Sequence, residues 1–91
     1  MVEYIHYEYE IVAIYNNEQV ANVTFPEEYE GVVNVNHTFV RDDFRGRNIA
    51  GQLMMELVSN LEETNRKAIL TCPYAVEWFL KNPQYSKFVK R

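Results

Sequence analysis

The sequence of 91 residues contains few of the residues that stabilise small folds through disulfides or metal ions. Its single cysteine, Cys72, excludes a disulfide within the chain, and with only His6 and His37 beside it a structural zinc site is short of ligands. We therefore predict a free thiol at position 72 and no metal cofactor.

Long apolar runs are also missing from the sequence. No run approaches the ~20 residues that span a bilayer. Residues 1–4 lack the basic region and the apolar stretch that begin a signal peptide. These two absences predict a cytoplasmic protein without a membrane partner.

Lysine and arginine are absent from the first 40 residues, which carry seven glutamates, whereas residues 41–91 carry nine basic and six acidic residues. The two parts have net charges of −7 and +3, which sum to the −4 of the whole chain. One local basic cluster does not provide the broad positive surface that general nucleic-acid binding needs, so we expect no nucleic-acid partner. The distribution suits an anionic small ligand on the second part. It leaves open whether the acidic part attracts a cationic substrate or only maintains solubility.

The residues that are present can build one hydrophobic core. Hydrophobic residues make up 47% of the chain and aromatic residues 14%, which is typical of a globular protein, and the length allows a single domain over residues 1–91. Segments of alternating or helical period are separated by turn residues. They predict four strands, at residues 7–15, 19–25, 32–40 and 68–72, and two helices, at residues 49–64 and 73–82.

This order of elements predicts an α+β fold with α/β-like character, built on a mixed sheet of about four strands and two main helices. The third strand, the first helix and the fourth strand form a βαβ unit, whose strands should be parallel with a right-handed crossover. Ligands of such units bind at the carboxyl ends of the strands. In the third strand Val33, Val35, His37 and Phe39 share one face, which we expect to be apolar.

The link between the third strand and the first helix carries the strongest functional signal. The first N–H groups of a helix have no internal partner, and the aligned peptide dipoles leave about half a positive charge there. A phosphorylated ligand is therefore favoured at the start of the helix, near Ile49. Arg41, Arg45 and Arg47 are expected to add three full charges beside it.

Residues 45–50, Arg-Gly-Arg-Asn-Ile-Ala, resemble the acetyl-CoA-binding turn of the GNAT superfamily of N-acetyltransferases, Arg/Gln-x-x-Gly-x-Gly/Ala. Further motifs in the second part of the chain resemble the small GNAT-like branch called YjdJ-type. These are His37-Thr38-x-Val40, Ile49-Ala50-Gly51-x-Leu53, Cys72-Pro73-Tyr74 and Asn82-Pro83-x-Tyr85. Several motifs in order are more specific than the turn alone.

The resemblance implies a shortened GNAT-type fold that uses acetyl-CoA as cosubstrate and acetylates an amine-bearing small molecule or protein. The cofactor would lie between the third and fourth strands. The residues implied to bind it are Phe39 and Val40 at the pantetheine, and Arg45, Gly46, Arg47, Asn48, Ile49 and Ala50 at the pyrophosphate. Asn48 stands where the motif has its central glycine. Because asparagine tolerates positive φ better than most residues, we predict positive φ there.

Two residues are candidates for catalysis. Cys72 ends the fourth strand and precedes a helix whose N-terminus could stabilise a thiolate, and the resemblance implies an active-site thiol at this place. It would accept the acetyl group or protonate the departing CoA, although buried cysteines are also common core residues. His37 would form a dyad with Cys72 if the side chains came within hydrogen-bond reach, and otherwise is a core histidine. The alternative function is a non-catalytic acyl-CoA-binding module, since so short a fold leaves little wall for a substrate pocket.

Overall fold

The computed structural model describes residues 1–90, which contain seven strands and two α-helices. The strands are β1 (Glu3–His6), β2 (Glu10–Tyr15), β3 (Glu18–Thr24), β4 (Glu27–Tyr29), β5 (Val32–Val35), β6 (His37–Val40) and β7 (Lys67–Leu70). The helices are α1 (Ile49–Thr64) and α2 (Pro73–Lys81), with short 3₁₀ helices at Asp42–Phe44 and Pro83–Phe88.

The strands form two sheets. The first is antiparallel, in the order β1-β2-β3-β6, and the second has the order β4-β5-β7. Within the second sheet β5 and β7 are parallel and joined through α1, which confirms the predicted βαβ unit. The α+β class is confirmed as well. The expected single sheet of about four strands is corrected to seven strands in two sheets.

The predicted third strand is two strands that separate at Asn36. Before this residue, β5 pairs with β7, and the Val35 carbonyl accepts hydrogen bonds from the backbone N–H groups of Thr71 (3.1 Å) and Cys72 (3.0 Å). After it, β6 pairs with β3. The N–H of Asn36 already donates to the Thr24 carbonyl, at 3.2 Å. The chain therefore leaves one sheet and joins the other, and β6 diverges from β7.

One extra residue at this break reverses the alternation of side chains. Val33 and Val35 are fully buried, as predicted. Beyond the break, however, His37 and Phe39 are exposed, and Thr38 and Val40 turn toward the interior instead. The prediction that His37 and Phe39 share the apolar face was therefore wrong.

Two short strands, β1 and β4, were not predicted. The strand expected at residues 7–15 begins only at Glu10, because the chain turns back there and the Tyr7 N–H donates to the Glu10 carbonyl at 2.7 Å. The segment expected as a loop after Pro26 contains β4. Its three side chains are exposed, so no alternation of apolar and polar residues marks it.

The helices agree closely with the sequence pattern. α1 has the predicted bounds, and its residues at four-residue spacing, Ile49, Leu53, Leu57 and Leu61, are buried against the sheet. α2 begins at Pro73 as predicted and ends one residue early, with Asn82 as its C-cap. Among residues 1–90, no helix is both long and apolar enough to cross a bilayer.

The chain ends of the described region are fixed to this core. Phe88 is buried, and Val89 forms a parallel bridge with Ala68 of β7, so the tail packs on the core. At the other end, the His6 ring of β1 contacts Glu56 (2.7 Å) and the amide of Asn60 (3.0 Å), both on α1. Together these contacts hold β1 against α1.

Candidate functional site

A groove lies between β6 and the start of α1, on the side where β6 diverges from β7. Its volume is about 430 Å³, and α2 closes one wall through Tyr74. The lining residues are Thr38, Val40, Phe44, Arg45, Gly46, Asn48, Ile49, Ala50, Gly51 and Tyr74. The groove therefore forms at the carboxyl edge of the βαβ unit, where the order of elements places ligands.

The turn before α1 contains two residues with a left-handed backbone conformation. Gly46 has φ +84° and Asn48 has φ +58°, so the predicted positive φ of Asn48 is confirmed. The helical hydrogen bonds begin with the Gln52 N–H, which donates to the Asn48 carbonyl at 3.1 Å. The N–H groups of Ile49, Ala50 and Gly51 come before this bond and so have no partner within the helix. All three residues line the groove.

Of the three arginines near the turn, Arg41 is paired with carboxylates and is not available to a ligand. Arg41 binds Asp43 at 2.7 Å and Glu18 at 3.0 Å. Hydrogen bonding to Arg41 holds the pKa of the Asp43 carboxyl below its usual range. Arg41 is thus engaged in a salt-bridge network, and the expectation of three full charges is corrected.

The other two arginines lie beside the groove, and of the two only Arg45 lines it. Arg45 is 3.3 Å from the Asp42 carboxylate, an exposed pair that contributes little to stability. Its Nε also donates to the Val40 carbonyl at 3.4 Å. Arg47 lies over the ring of Phe44 at 4.5 Å from the centroid, a cation–π contact that orients its guanidinium. Arg45 and Arg47 are therefore the cations available to an anionic ligand.

Cys72 lies where β7 passes into α2. It is 5% exposed, and its Sγ is 3.5 Å from the Thr38 hydroxyl. Burial raises the pKa of the thiol, but hydrogen bonds from the Thr38 side chain and from the amides of Ala75 and Tyr74 outweigh it, so that the pKa lies below its ordinary value. The first turn of α2 thus stabilises the thiolate, as the sequence indicates.

His37 is not brought into contact with Cys72. Its side chain is exposed, on the face of β6 opposite to Thr38. His37 was the expected dyad partner of Cys72, but the side chain beside the thiol is that of Thr38. The reversal of alternation at Asn36 causes this exchange.

The remaining predicted cofactor residues divide into two groups. Six of them line the groove, namely Val40, Arg45, Gly46, Asn48, Ile49 and Ala50, whereas Phe39 and Arg47 do not. Phe39 is 46% exposed and points away, which leaves only its backbone for a ligand. Four lining residues were not predicted as ligand-binding: Thr38, Phe44, Gly51 and Tyr74. Thr38, Gly51 and Tyr74 do stand within the motifs quoted from the sequence, whereas no sequence signal marks Phe44.

Diverging strands, a groove lined by unpaired helix amides and a buried thiol beside that groove define an α+β domain with a groove suited to an anionic ligand. The comparison with protein families agrees with this description. The family model described as GCN5-related N-acetyl-transferase matches residues 8–88, and the chain belongs to that family.

Solved structures show the same fold. A GCN5-like protein from Staphylococcus aureus, determined by NMR, superposes with a TM-score of 0.77 at 24% identity, covering 97% of this chain and 87% of that one. A GNAT family acetyltransferase from Elizabethkingia anophelis with acetyl-CoA bound gives 0.64 at 18% identity, covering 84% of this chain and 51% of that one.

An acetyltransferase from Bacillus anthracis in complex with acetyl coenzyme A gives a TM-score of 0.61 at 15% identity, covering 87% of this chain and 48% of that one. The chain spans about half the length of these last two proteins. Among curated proteins, none matches the sequence.

Proposed function

We propose that the protein is an acetyl-CoA-dependent N-acetyltransferase of the small YjdJ-type branch, in which Cys72 participates in transfer to an amine. The observation that carries the proposal is the groove itself. Unpaired amides of α1 line it, and the buried thiol of Cys72, which is not a lining residue, is 3.5 Å from the hydroxyl of Thr38, which is. A ligand with phosphates at one end and a thioester at the other suits these two features.

The phosphate end of acetyl-CoA is held by the turn and by α1. The pyrophosphate binds the free N–H groups of Ile49 and Ala50, where the helix dipole favours negative charge. Arg45 approaches it from the rim, and release from the exposed Asp42 pair costs little. Arg47 supplies a second cation close by.

The pantetheine lies along the free edge of β6. This strand is paired with β3 on one side, and on the other side it diverges from β7. The backbone groups of Phe39 and Val40 offer hydrogen bonds to the pantetheine amides there, much as an added strand would. The exposed Phe39 side chain takes no part in this contact.

The acetyl group then reaches the thiol. The Cys72 thiolate attacks the thioester carbonyl carbon, the carbon–sulfur bond to CoA breaks, and CoA leaves as a thiolate that takes a proton. A neutral amine next attacks the acetylated Cys72, which regenerates the thiol and yields the amide. The Cys72 thiol alternatively protonates departing CoA while the amine attacks directly. His37 is not part of this proposal, because it lies on the opposite face of β6.

A non-catalytic acyl-CoA-binding module is the second candidate. Two further cavities, of about 380 and 240 Å³, share no lining residue with the groove. Neither of these two cavities has Cys72 among its lining residues, so neither is an acceptor pocket beside the thiol. Such a module would use the same phosphate and pantetheine contacts and would not transfer the acetyl group.

Intact mass measured over time, after mixing with acetyl-CoA and a panel of amines, separates these mechanisms. Transient acetylation of the protein followed by acetylation of an amine supports a Cys72 intermediate. Acetylation of the amine alone supports direct transfer, and neither product in a protein that binds acetyl-CoA supports the binding module.

Cys72→Ala and Cys72→Ser provide the matched controls. Both should keep acetyl-CoA affinity within a few-fold, because the phosphate contacts lie elsewhere. Both should lose protein acetylation, because serine is a much poorer nucleophile at neutral pH. A folded Cys72→Ala protein that acetylates amines at the unaltered rate would contradict participation of the thiol.

A further inference from the structure

Asn48 holds its carboxamide against the start of α1 in an unusual way. As the N-cap residue it would ordinarily accept a hydrogen bond from an N–H of the first turn. Here the backbone of Asn48 is left-handed, and its side chain makes no capping hydrogen bond. The side chain of Asn48 therefore leaves the backbone N–H groups of the first turn free to bind a ligand.

Gly51 provides the space for this arrangement. A Cβ built on Gly51 would lie 2.5 Å from Oδ1 of Asn48 and 3.3 Å from Cγ, and the first distance is far below a van der Waals contact. Gly51 needs no positive φ, since it lies within α1, where alanine is ordinarily preferred to glycine. The nearest obstacle to a side chain here is therefore the carboxamide of Asn48, the movable end of its side chain, which must shift to admit a Cβ.

We propose that Gly51 is a positioning residue of the groove, because its lack of a side chain lets Asn48 fold its carboxamide over the first turn of α1. The inference rests on the proposed function, since the ligand is acetyl-CoA. A side chain at position 51 displaces the carboxamide from this place. Both residues line the groove, so the displaced group enters the space beside the amides that bind the pyrophosphate.

The test is a double-mutant cycle in the full chain, with CoA affinity measured by calorimetry and folding by thermal denaturation. Gly51→Ala alone should weaken CoA binding about tenfold, the loss expected when a charge-assisted hydrogen bond is disturbed. Asn48→Gly alone sets the reference affinity for a protein without the carboxamide. The double variant should bind CoA as Asn48→Gly does, because removing the Asn48 side chain removes the clash.

Two further measurements make the result specific. Acetyl-pantetheine, which lacks the pyrophosphate, should show no loss with Gly51→Ala. Gln52→Ala, at the next and exposed helix position, should leave CoA affinity unchanged. If Gly51→Ala does not fold, the double variant still decides, because it should fold and bind CoA as Asn48→Gly does.

A loss in the double variant relative to Asn48→Gly, or no loss in Gly51→Ala, overturns the inference. CoA binding by the unaltered protein leaves the proposed function standing in either case. Failure of the unaltered protein to bind CoA instead overturns the proposed function. The two failures are therefore distinguishable.

Discussion

At the scale of single residues, Arg45 is the cation on which ligand binding depends most directly. It is two-thirds exposed on the groove rim, and the nearby Asp42 pair is weak. Arg45→Glu should reduce acetyl-CoA affinity tenfold or more, because a charge-assisted phosphate contact of roughly 1.5–3 kcal/mol is replaced by repulsion.

Calorimetric titration measures this effect. Lys81→Glu makes the same change of charge on α2, away from the groove lining, and should alter affinity much less. Equal affinities in folded Arg45→Glu and unaltered protein would remove the assignment of Arg45 to the phosphates.

Thr38 is one of the groups that lower the pKa of the Cys72 thiol against the effect of burial. The hydroxyl stabilises the thiolate, so Thr38→Val should raise the pKa of Cys72, while Thr38→Ser should keep it low. Thiolate is lost as the pH falls through the pKa. Acetylation of Cys72 should therefore extend to lower pH in the unaltered protein than in Thr38→Val.

Carbon NMR of the labelled Cys72 Cβ follows this titration directly, and the pH profile of protein acetylation gives a second measurement. A Thr38→Val protein with an unchanged Cys72 titration would show that the helix amides alone stabilise the thiolate.

At the scale of secondary-structure elements, Asn60 joins β1 to α1 and to the start of β7. It is 7% exposed, its Nδ2 faces the His6 ring at 3.0 Å, and its Oδ1 accepts from Arg66 at 2.9 Å. Asn60→Ala should destabilise the fold by about 1–3 kcal/mol, because it leaves partly buried polar groups without their partner.

Urea denaturation measures this loss, and Ser59→Ala, on the exposed side of the same turn, should change stability by no more than about 0.5 kcal/mol. If Asn60→Ala were as stable as Ser59→Ala, the contacts of Asn60 would not be what holds β1 in place.

At the scale of the whole molecule, the acidic first part and the pairing of Arg41 alter the electrostatic expectation. Arg41 is paired with Asp43 and Glu18, so the positive charge of the second part is weaker near the groove than the sequence indicates. The seven glutamates of the first 40 residues, in contrast, face no basic residue of their own segment.

If this negative charge guides the acceptor, polyamines or lysine peptides should be acetylated faster than neutral amines, and the preference should shrink as salt screens it. Initial rates at low and moderate ionic strength test this. Equal use of neutral and cationic acceptors at both would indicate that the charge serves solubility alone.

The sequence by itself determined the features that depend on near neighbours in the chain. The bounds of α1 follow from a period of about four residues, and the start of α2 follows from Pro73, whose missing N–H is not needed there. The left-handed conformation of Asn48 was predicted from its place at the central glycine of the motif that the turn resembles, since asparagine tolerates positive φ. Each of these is a local property.

The tertiary structure alone decided where the third predicted strand breaks and what faces the thiol. The break at Asn36 exists because the residues before it pair with β7 and the residues after it pair with β3. The sequence of residues 32–40 does not indicate either partner. That break exchanged His37 for Thr38 beside Cys72, since a shift of one residue turns every later side chain to the opposite face. Strand pairing between distant segments, which no local pattern encodes, therefore set the chemistry of the site.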